Sequence, residues 1–460
     1  MFDVKGKRVL VLGLGDTGLS MVRWLVHHGA EVHVADTREN PPQAAVLVRD
    51  LPQVRVSRGA FRGSDFARAD MIAVSPGVDR RRPPLADAIR RGVTVVGDIE
   101  LFAQALACAA AKPRVLAITG SNGKSTVTAM VGDMGRAAGM TTTVAGNIGL
   151  PALEALSMHE RSGSMPDLFV FELSSFQLES TSSLRPHAAA MLNLCEDHMD
   201  RYRDLEDYAA AKERIFAGDG VQVLNRDDRR SMHMAQPGRT VATFGLGLPR
   251  NDSEWGIDAA QGKPMLANGG RKVLALDELQ VTGLHNAGNA LAALALARAI
   301  DLPEPPLVAA LRAFKGLPHR VQQVAEINGI AFYDDSKGTN VGATVAALSG
   351  MLRPVVLIAG GDGKGQDFTP LAAAVSARAR EVMLIGQDAD AIAKVLARCG
   401  VPLSRAASMQ EAVEAAYAAS RPGDAVLLSP ACASYDMFRN YMHRAEVFVA
   451  AVQTLVKRDG

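Results

Sequence analysis

One stretch of sequence constrains the fold more than any other: a glycine-rich segment, residues 120–126, between an apolar run and an amphipathic segment. The run of residues 115–118 predicts a buried strand, and residues 127–139 predict a helix that ends at a glycine. A glycine turn between strand and helix directs backbone N–H groups and the positive end of the helix dipole at one point. We therefore predict a phosphate site in an α/β domain.

The residue types in this segment indicate a nucleoside triphosphate with Mg²⁺. Lys124 can meet the terminal phosphates, and the hydroxyls of Ser125 and Thr126 can bind the Mg²⁺. The motif is shorter than the common phosphate-loop spacing, because Ile118 stands where the first glycine would be. The alternative, a glycine turn with a solvated lysine, does not explain why strand, glycines, Lys-Ser-Thr and helix occur in this order.

Length and composition limit the class of protein. A chain of 460 residues is too long for one hydrophobic core, so several domains are expected. The net charge of +1 and the aromatic share of 5% do not favour nucleic-acid binding. Four scattered cysteines without metal-ligand spacing predict reduced thiols. With no signal peptide and no long apolar run, we expect a cytoplasmic enzyme that does not insert into a membrane.

A second glycine turn, residues 13–18, follows the first predicted strand, and the next predicted strand ends at Asp36. This is the outline of a dinucleotide-binding fingerprint, with Asp36 placed to meet a ribose hydroxyl. A further strand leads into residues 75–77, and ligands of such sheets bind outside the carboxyl ends of the strands. We predict that these turns meet one small molecule; any nucleotide, or a purely structural turn, remains an alternative for the first motif.

Two strand ends in the central region carry candidate metal ligands. Glu172 lies in the apolar run of residues 167–173, and a carboxylate beside the phosphate strand is placed to bind nucleotide-bound Mg²⁺. The run of residues 188–194 leads into a polar segment that includes His198. We predict a metal or phosphate site here, with a solvated carboxylate and a structural histidine as the alternatives.

Lys212 shares a predicted helix face with apolar residues. Asp204 can cap a helix over residues 205–217, in which Tyr208 and Phe216 each lie four residues from Lys212. Burial would lower the pKa of this lysine, and its neutral amine could take up CO₂ to form a carbamate, a ligand for a second Mg²⁺. The pattern alone favours a lysine whose stem packs and whose ammonium reaches water.

The last third of the chain predicts a second doubly wound sheet, because strands alternate with helices. The polar residues at or after these strand ends include Lys337, Lys364 and Ser434. Such a cluster suits an anionic substrate. Residues 316–320 have the character of a linker, from which Arg320 can reach a γ-phosphate or remain an exposed charge. Asn286 and Asn289, near the start of an alanine-rich helix, can cap it or hold a base or phosphate.

Taken together, these motifs resemble those of the Mur ligases, the ATP-dependent amide-bond-forming enzymes of peptidoglycan synthesis. The resemblance covers almost the whole chain and is greatest to the members that add D-glutamate. It implies three α/β domains: a Rossmann-like N-terminal domain (1–110), a P-loop central domain (111–316) and a second doubly wound C-terminal domain (317–460). The motifs that carry it are residues 120–126, 172–179, 196–201, 317–320, 335–337, 360–364 and 428–434.

The resemblance also implies roles for individual residues. The expected contacts of UDP-N-acetylmuramoyl-L-alanine are Gly15, Thr17, Asp36, Thr37, Arg38, Ser75, Pro76, Gly77 and Asn147. The expected contacts of ATP are Gly120, Asn122, Gly123, Lys124, Ser125, Thr126, Asn289, Arg320 and Asp335. Two Mg²⁺ ions are expected at Ser125, Glu172, His198 and a carbamylated Lys212, and the expected catalytic residues are Lys124, His198 and Lys212. The expected D-glutamate pocket comprises Lys337, Thr339, Lys364, Ser434, Tyr435 and Tyr441.

Two positions depart from the family pattern, and several alternatives stay open. Val321-Gln322 follows the arginine where an apolar residue and an acid are more usual, and Tyr441 stands where phenylalanine is expected. A nicotinamide oxidoreductase would leave the Lys-Ser-Thr loop unexplained, and a non-catalytic regulator should have lost a metal or phosphate residue. Another Mur-type or folylpolyglutamate-type amide ligase is the remaining alternative. We expect a monomer that releases ADP and phosphate through an acyl-phosphate intermediate.

Overall fold

The computed structural model describes residues 3–260, 262–281 and 283–459, and these ranges form three α/β units. Each unit has a largely parallel sheet with buried hydrophobic clusters on its two faces. The predicted fold class, three α/β domains, is thereby confirmed. None of the helices in the described ranges combines the length and apolar content needed to cross a bilayer.

The first unit contains a five-stranded parallel sheet with a crevice at its centre. Its strands are β1 (Arg8–Leu12), β2 (Glu31–Asp36), β3 (Arg55–Arg58), β4 (Met71–Val74) and β5 (Thr94–Val96). Its helices are α1 (Asp16–His27), α2 (Ala44–Asp50), α3 (Gly63–Ala67), α4 (Leu85–Arg90) and α5 (Asp98–Cys108). The strand order β3-β2-β1-β4-β5 changes direction between β1 and β4, so the turns after these strands border one crevice.

The central unit places the strand before the phosphate loop inside a nine-stranded sheet. Its strands are β6 (Arg114–Thr119), β7 (Thr142–Gly146), β8 (Leu168–Glu172), β9 (Ala188–Met191), β10 (Val221–Asn225), β11 (Val241–Phe244), β12 (Glu254–Asp258), β13 (Met265–Asn268) and β14 (Arg271–Ala275). Its helices are α6 (Lys124–Ala137), α7 (Ala152–Ser162), α8 (Ser175–Leu178), α9 (Leu205–Glu213), α10 (Arg229–His233), α11 (Leu284–Arg298) and α12 (Glu304–Ala313). The order is β14-β13-β12-β11-β10-β9-β6-β8-β7, in which β13 runs antiparallel to both of its neighbours, β12 and β14. Strand β6 therefore pairs with β8 on one side and β9 on the other.

The third unit is a second doubly wound sheet. Its strands are β15 (Gln322–Ile327), β16 (Ile330–Asp334), β17 (Val355–Gly360), β18 (Ala379–Ile385), β19 (Leu403–Arg405) and β20 (Ala425–Leu428). Its helices are α13 (Val341–Gly350), α14 (Leu371–Arg378), α15 (Ala389–Leu396), α16 (Met409–Ala419) and α17 (Tyr441–Asp459). The order is β15-β16-β20-β17-β18-β19, and only β15 runs antiparallel among these described strands.

The first two units share one hydrophobic cluster. Leu25 of α1 and Phe102 of α5 belong to the same buried cluster as Phe169 and Phe171 of β8. The ring centroid of Phe102 lies 5.1 Å from that of Phe169 and 4.7 Å from that of Phe171, both in edge-to-face contact. The two clusters of the third unit draw only on residues from Val321 onward. The third unit is therefore held to the others by other means than a common core.

Carboxylates at the start of α5 reinforce the junction of the first two units. The backbone N–H groups of Ser182 and Ser183 donate to Glu100 Oε2 at 2.6 Å and 2.9 Å. Gln177 Nε2 donates to Asp98 Oδ2 at 3.2 Å. Because both acids belong to the first unit and their donors to the second, these bonds join the start of α5 to α8 and the segment that follows it.

Two predicted helix starts can be compared with the structure. Asp204 caps α9 as expected, since its Oδ1 accepts from the Asp207 N–H at 2.7 Å, but the α-helix ends at Glu213 and continues as one 3₁₀ turn to Phe216. Neither Asn286 nor Asn289 is the N-cap residue of α11, because the helix begins at Leu284 with Gly283 as its N-cap and both residues lie inside it. Asn289 Nδ2 donates to Asn286 Oδ1 at 3.1 Å, and both residues line the cavity described below.

Replacing Phe102 tests the shared core. We expect Phe102→Ala to lower the free energy of unfolding of the first two units by about 3–5 kcal/mol, because a large buried ring is lost from a packed cluster. Urea unfolding followed by circular dichroism measures this change. Leu352→Ala is the control, since Leu352 is 91% exposed, and it should change the free energy by less than about 0.5 kcal/mol. Equal effects of the two substitutions would contradict a core that spans both units.

Candidate active site

The phosphate loop joins β6 to α6 in the predicted strand–turn–helix arrangement. Gly123 precedes α6 in the left-handed region, with φ of 83°, and a Cβ there would lie 2.4 Å from Asn289 Oδ1. Only glycine fits that position without strain. Lys124 Nζ folds back over the loop and donates to the carbonyl oxygens of Gly120 and Ser121, both at 2.8 Å. The lysine ammonium is therefore fixed against the backbone of the loop.

Strand register places a carboxylate beside this loop. Ile118 of β6 is paired with Glu172, the last residue of β8. Glu172 Oε1 accepts from Asn147 Nδ2 at 2.7 Å, whereas Oε2 is buried without a hydrogen-bond partner. Burial raises the pKa of Glu172, but the charge of Lys124 and the bond from Asn147 outweigh it and hold the pKa below its ordinary value. An ionised oxygen without a donor is a position for a cation.

Lys212 lies beneath the loop with its ammonium buried. The residue is 1% exposed, and Nζ donates to the Gly120 carbonyl oxygen at 2.9 Å and to Thr119 Oγ1 at 3.3 Å. Nζ also lies 4.6 Å from the centroid of the Tyr208 ring. The expectation that this ammonium reaches water is wrong, because α9 packs its lysine face against the loop. Burial, together with the charge of Lys124, holds the pKa of Lys212 well below its ordinary value.

His198 lies on the same side of the loop with a positive φ of 59°. Its ring packs against Phe176, with centroids 4.7 Å apart, and its Nε2 lies 3.8 Å from Asp197 Oδ2. Burial lowers the pKa of His198 to about 4, although the charge of Asp197 opposes this shift. The imidazole is therefore neutral at pH 7, which is the form that binds a metal ion.

The donor set suits a hard cation but is incomplete as it stands. The Glu172 oxygen and the buried hydroxyl of Ser125 are ligands of the kind that Mg²⁺ takes. Within residues 3–260, 262–281 and 283–459, no three side chains of His, Cys, Asp or Glu come together in a metal cluster. Lys212 as an ammonium adds positive charge here and supplies no ligand.

A cavity of about 430 Å³ lies between the phosphate loop, α11 and the third unit. The predicted ATP contacts that line it are Asn122, Gly123, Thr126, Asn289, Arg320 and Asp335. Lining residues that sequence reasoning did not single out include Phe244, Leu246, Leu284 and His285. Phe244 could have been found from the sequence, because it is the last residue of β11 and ligands bind at the carboxyl ends of such strands. Gly120, Lys124 and Ser125 do not line this cavity and belong to the neighbouring part of the loop.

Asp335 has an unusual protonation equilibrium. Its Oδ2 accepts from Ser429 Oγ at 2.7 Å, deep in the third unit. Burial raises the pKa of Asp335 to about 7, although the bond from Ser429 and the charge of Arg320 act in the opposite direction. At neutral pH this carboxyl is therefore divided between a form that accepts hydrogen bonds and a form that can donate one.

The third unit is docked on the phosphate loop through cationic side chains. Lys337 Nζ and Arg320 Nη2 donate to Ser125 Oγ at 3.1 Å and 3.3 Å. Lys364 forms an ion pair with Asp197 of the central unit. Burial and the charge of Arg320 lower the pKa of Lys337 to about 8. The predicted amino-acid lysines thus converge with the predicted nucleotide residues.

The remaining residues of the predicted D-glutamate pocket do not all lie beside Lys337. Lys337 Nζ lies 5.5 Å from the centroid of the Tyr441 ring, and the Tyr441 carbonyl accepts from Ser336 Oγ at 2.8 Å. Ser434 is buried, and Thr339 is half-buried between Lys337 and α13. The side chain of Tyr435, in contrast, is 74% exposed and stands apart from these groups.

Sequence reasoning missed Arg444, which joins two loops of the predicted D-glutamate pocket. The side chain is fully buried, and it donates to the Ser336 carbonyl at 2.8 Å, to Ser336 Oγ at 3.0 Å and to the Cys432 carbonyl at 3.0 Å. An arginine in the first turn of a helix gives no sign of burial in a single sequence. It joins the loop before Lys337 to the loop that bears Ser434.

The crevice of the first unit forms a second cavity, of about 530 Å³. All nine predicted contacts of the UDP substrate line it: Gly15, Thr17, Asp36, Thr37, Arg38, Ser75, Pro76, Gly77 and Asn147. Asp36 accepts from the Leu14 N–H at 2.7 Å and from Arg38 through both carboxylate oxygens. Its oxygens therefore already have partners, and Asp36 orients the Arg38 guanidinium at the cavity. Asn147 joins the two sites, because it also binds Glu172.

Three family models match the chain in succession. They describe the Mur ligase MurD-like N-terminal domain over residues 7–97, the Mur ligase middle domain over residues 118–297, and the Mur ligase glutamate ligase domain over residues 319–432. The solved UDP-N-acetylmuramate-alanine ligase of Thermotoga maritima superimposes with a TM-score of 0.61 at 20% identity, covering 97% of this chain and 99% of that one. At that identity the superposition establishes the fold: three α/β domains around a phosphate loop.

Relatives of much higher identity define the family. The UDP-N-acetylmuramoylalanine--D-glutamate ligase of Thiobacillus denitrificans is 59% identical over 465 residues, which cover 98% of this chain and 97% of the relative. The enzyme of the same name from Nitrosomonas eutropha is 55% identical, covering 97% and 96%. The chain belongs to the Mur ligase family, and the resemblance inferred from its motifs is confirmed.

Asp98, behind the substrate-side residue Gln177, provides a test by pH. Burial raises the pKa of Asp98 to about 6, against the hydrogen bond from Gln177, and its Oδ1 is buried without a partner. A carboxyl whose folded pKa is raised stabilises the fold below its unfolded pKa and loses that contribution as the pH rises through about 6. Asp98→Asn should therefore gain about 1–3 kcal/mol relative to the unaltered chain between pH 4 and pH 8.

Urea unfolding at pH 4, 6 and 8 measures this difference. The matched control is Asp252→Asn, at an exposed loop position, which should show no such change with pH. A difference between Asp98→Asn and the unaltered chain that stays constant from pH 4 to pH 8 would contradict the buried carboxyl described here.

Proposed function

We propose that this chain is an ATP-dependent ligase that joins D-glutamate to UDP-N-acetylmuramoyl-L-alanine, a cytoplasmic step of peptidoglycan precursor synthesis. The observation that carries the proposal is the convergence of Lys124, Glu172 and the cations of the third unit on Ser125. That arrangement occurs in a chain 59% identical to an enzyme named for this substrate pair. The monomeric state expected from the sequence stays a prediction.

Each substrate is assigned to one domain. Residues 1–110 hold the UDP part of the substrate in the cavity that Asp36 and Arg38 border. Residues 111–316 hold ATP, with its phosphates at the loop and its base in the cavity beside α11. Residues 317–460 hold D-glutamate near Lys337, Lys364 and Ser434. The guanidinium of Arg38 offers the bidentate donors that suit a diphosphate.

The first chemical step makes the substrate carboxylate reactive. A carboxylate oxygen of the L-alanyl group attacks the γ-phosphorus of ATP. The bond from that phosphorus to the bridging oxygen breaks, ADP leaves, and an acyl phosphate is formed. Negative charge gathers on the transferred group during this step. Lys124, Arg320 and Lys337 are fixed around Ser125 and stabilise that charge without rearrangement.

The second step forms the amide bond. The amine of D-glutamate attacks the acyl carbon, loses a proton, and phosphate leaves with the electrons of the acyl–oxygen bond. The departing phosphate can take that proton, because it is a stronger base than His198 and Asp197, whose pKa values are lowered to about 4 and about 2. We assign Lys364, which pairs with Asp197 in the structure, to a carboxylate of the incoming amino acid.

Mg²⁺ fits the residues that would hold it. We assign one ion to Ser125 and the unpartnered oxygen of Glu172, and a second to His198 and a modified Lys212. Bound there, Mg²⁺ supplies a positive charge that offsets the phosphate oxygens. The chain itself holds the ligands in place, since Asn147 fixes one Glu172 oxygen and Phe176 packs on the His198 ring.

The modification assigned to Lys212 is a carbamate. Burial and the charge of Lys124 lower the pKa of Lys212 and so favour its neutral amine; that amine attacks CO₂, a proton leaves, and the product carries two carboxylate oxygens where an ammonium stood. The exchange turns an unfavourable buried cation beside Lys124 into an anion that the same lysine stabilises. It also supplies the ligand that the unmodified side chain lacks.

Phosphate release from ATP tests the function directly. With UDP-N-acetylmuramoyl-L-alanine present, release should depend on D-glutamate and should not occur with L-glutamate, L-alanine or diaminopimelate. Release that depends on a different amino acid would support the ligase reaction but show that D-glutamate is not the amino-acid substrate. Absence of release with every amino acid would overturn the proposal in favour of a nucleotide-binding regulator.

Lys212→Ala tests the carbamate. We expect turnover to fall by about 10²–10³-fold, because a ligand close to the transferred phosphate is lost. Added formate or acetate should restore part of the activity by occupying the vacated space as a carboxylate. Lys263→Ala, at an exposed lysine, is the control and should retain full turnover. Loss of activity that no small carboxylate restores would count against the modification.

A further inference from the structure

Three asparagines connect the central unit to the third unit through the phosphate loop. Asn193, after β9, holds both backbone groups of Asn122: its Oδ1 accepts from the Asn122 N–H at 2.8 Å, and its Nδ2 donates to the Asn122 carbonyl at 3.1 Å. The Asn122 side chain then meets Asn340 of the third unit. We call Asn193, Asn122 and Asn340 the asparagine relay.

The contact between Asn122 and Asn340 is a reciprocal amide pair. Asn122 Nδ2 donates to Asn340 Oδ1 at 3.1 Å, and Asn340 Nδ2 donates to Asn122 Oδ1 at 3.1 Å. The orientation of Asn340 is fixed by its other partners, because its Oδ1 also accepts from the Ala343 N–H at 2.9 Å and its Nδ2 also donates to Asp197 Oδ2 at 3.2 Å. A flipped amide would lose both of these bonds.

The relay differs in kind from the other contacts of this interface. Arg320, Lys337 and Lys364 are long, charged side chains whose groups can also bind substrate oxyanions, so they tolerate a range of domain positions. A pair of short neutral amides makes both of its bonds at only one relative position of the two units. Asn340 is also 3% exposed, so a lost bond there is not replaced by water.

We infer that Asn340 is a positioning residue for the docking of the third unit: it sets the register in which Arg320 and Lys337 reach Ser125, without itself touching a substrate. Its Oδ1 caps α13, the helix that follows the loop of Lys337. The amide pair therefore also fixes the position of that helix and of Lys337 relative to the phosphate loop. The kinetic part of the inference rests on the proposed function, and the structural part does not.

Asn340→Asp separates docking from helix capping. A carboxylate oxygen still caps α13, since aspartate is as good a cap as asparagine. The donor to Asn122 and Asp197 is lost, however, and a second negative charge is placed beside Asp197. Asn440→Asp is the matched control, because Asn440 Oδ1 accepts from the His443 N–H at 2.8 Å at the start of α17, away from the relay.

Two measurements are made on the full chain. We expect the KM for D-glutamate to rise about tenfold in Asn340→Asp, while the dissociation constant of ADP, measured alone by calorimetry, changes less than about twofold. The radius of gyration from small-angle X-ray scattering, at saturating ADP and Mg²⁺, should exceed that of the unaltered chain. Asn440→Asp should match the unaltered chain in both measurements.

A double-mutant cycle guards against a variant that simply folds poorly. Asn122→Ala and Asn340→Ala each break the amide pair, so the double variant should be less impaired in KM than the product of the single effects, by about twofold or more. Multiplicative effects would overturn the inference, as would an Asn340→Asp variant with unchanged KM and radius of gyration. If the unaltered chain shows no D-glutamate-dependent turnover, the proposed function fails, and the scattering comparison still decides the role of Asn340.

Discussion

The parallel pairing of β6 with β8 and β9 is the constraint on which the rest of the site depends. Ile118 is paired with Glu172, and Thr119 with Met191, so the three carboxyl ends lie at one edge of the sheet. The phosphate loop, the Glu172 carboxylate and the segment that leads to His198 all start from that edge. A slip of one residue in either pairing would reverse the faces of the strand and carry the carboxylate away from the loop.

The charges gathered at this edge do not balance within the chain. Lys212 is buried and Lys124 is partly buried; burial lowers the pKa of both, and the charge of Lys124 lowers the pKa of Lys212 further. Glu172 and Asp197 offset part of this repulsion, and both keep pKa values below their ordinary range. A site with surplus buried positive charge gains more from a polyanion than a neutral cleft would. The surplus of positive charge at this edge is therefore a source of nucleotide affinity.

Much of the fold follows from the sequence, because strand and helix periodicity and glycine turns are local signals. The strand before Glu172, the cap at Asp204 and the lysine face of α9 were all predictable in this way. The short edge strands β3, β15 and β19 were not, since their residues alternate weakly and their pairing is decided by distant partners. Sequence patterns report on residues that are close along the chain, whereas edge strands form by pairing with residues that are distant in sequence.

The candidate site shows the same division. The phosphate loop and Glu172 could be placed from type and spacing, and the family resemblance extended this to Lys212. The burial of the Lys212 ammonium could not be predicted from periodicity, because a helix face gives the direction of a side chain and not the depth of what covers it. Arg444 was missed for the complementary reason: a buried arginine requires several carbonyl acceptors, and these come from two loops far apart in sequence.

The three units are joined in two different ways. The first two share a hydrophobic cluster around Phe102, and separating them would expose buried aromatic surface. The third is held to the phosphate loop by polar contacts, each of which contributes only about 0.5–1.5 kcal/mol because water competes for the same groups. Opening is thus inexpensive for the third unit and costly for the first. A ligand that bridges Ser125 and the third-unit cations needs to add only a few such contacts to shift the equilibrium towards the docked arrangement.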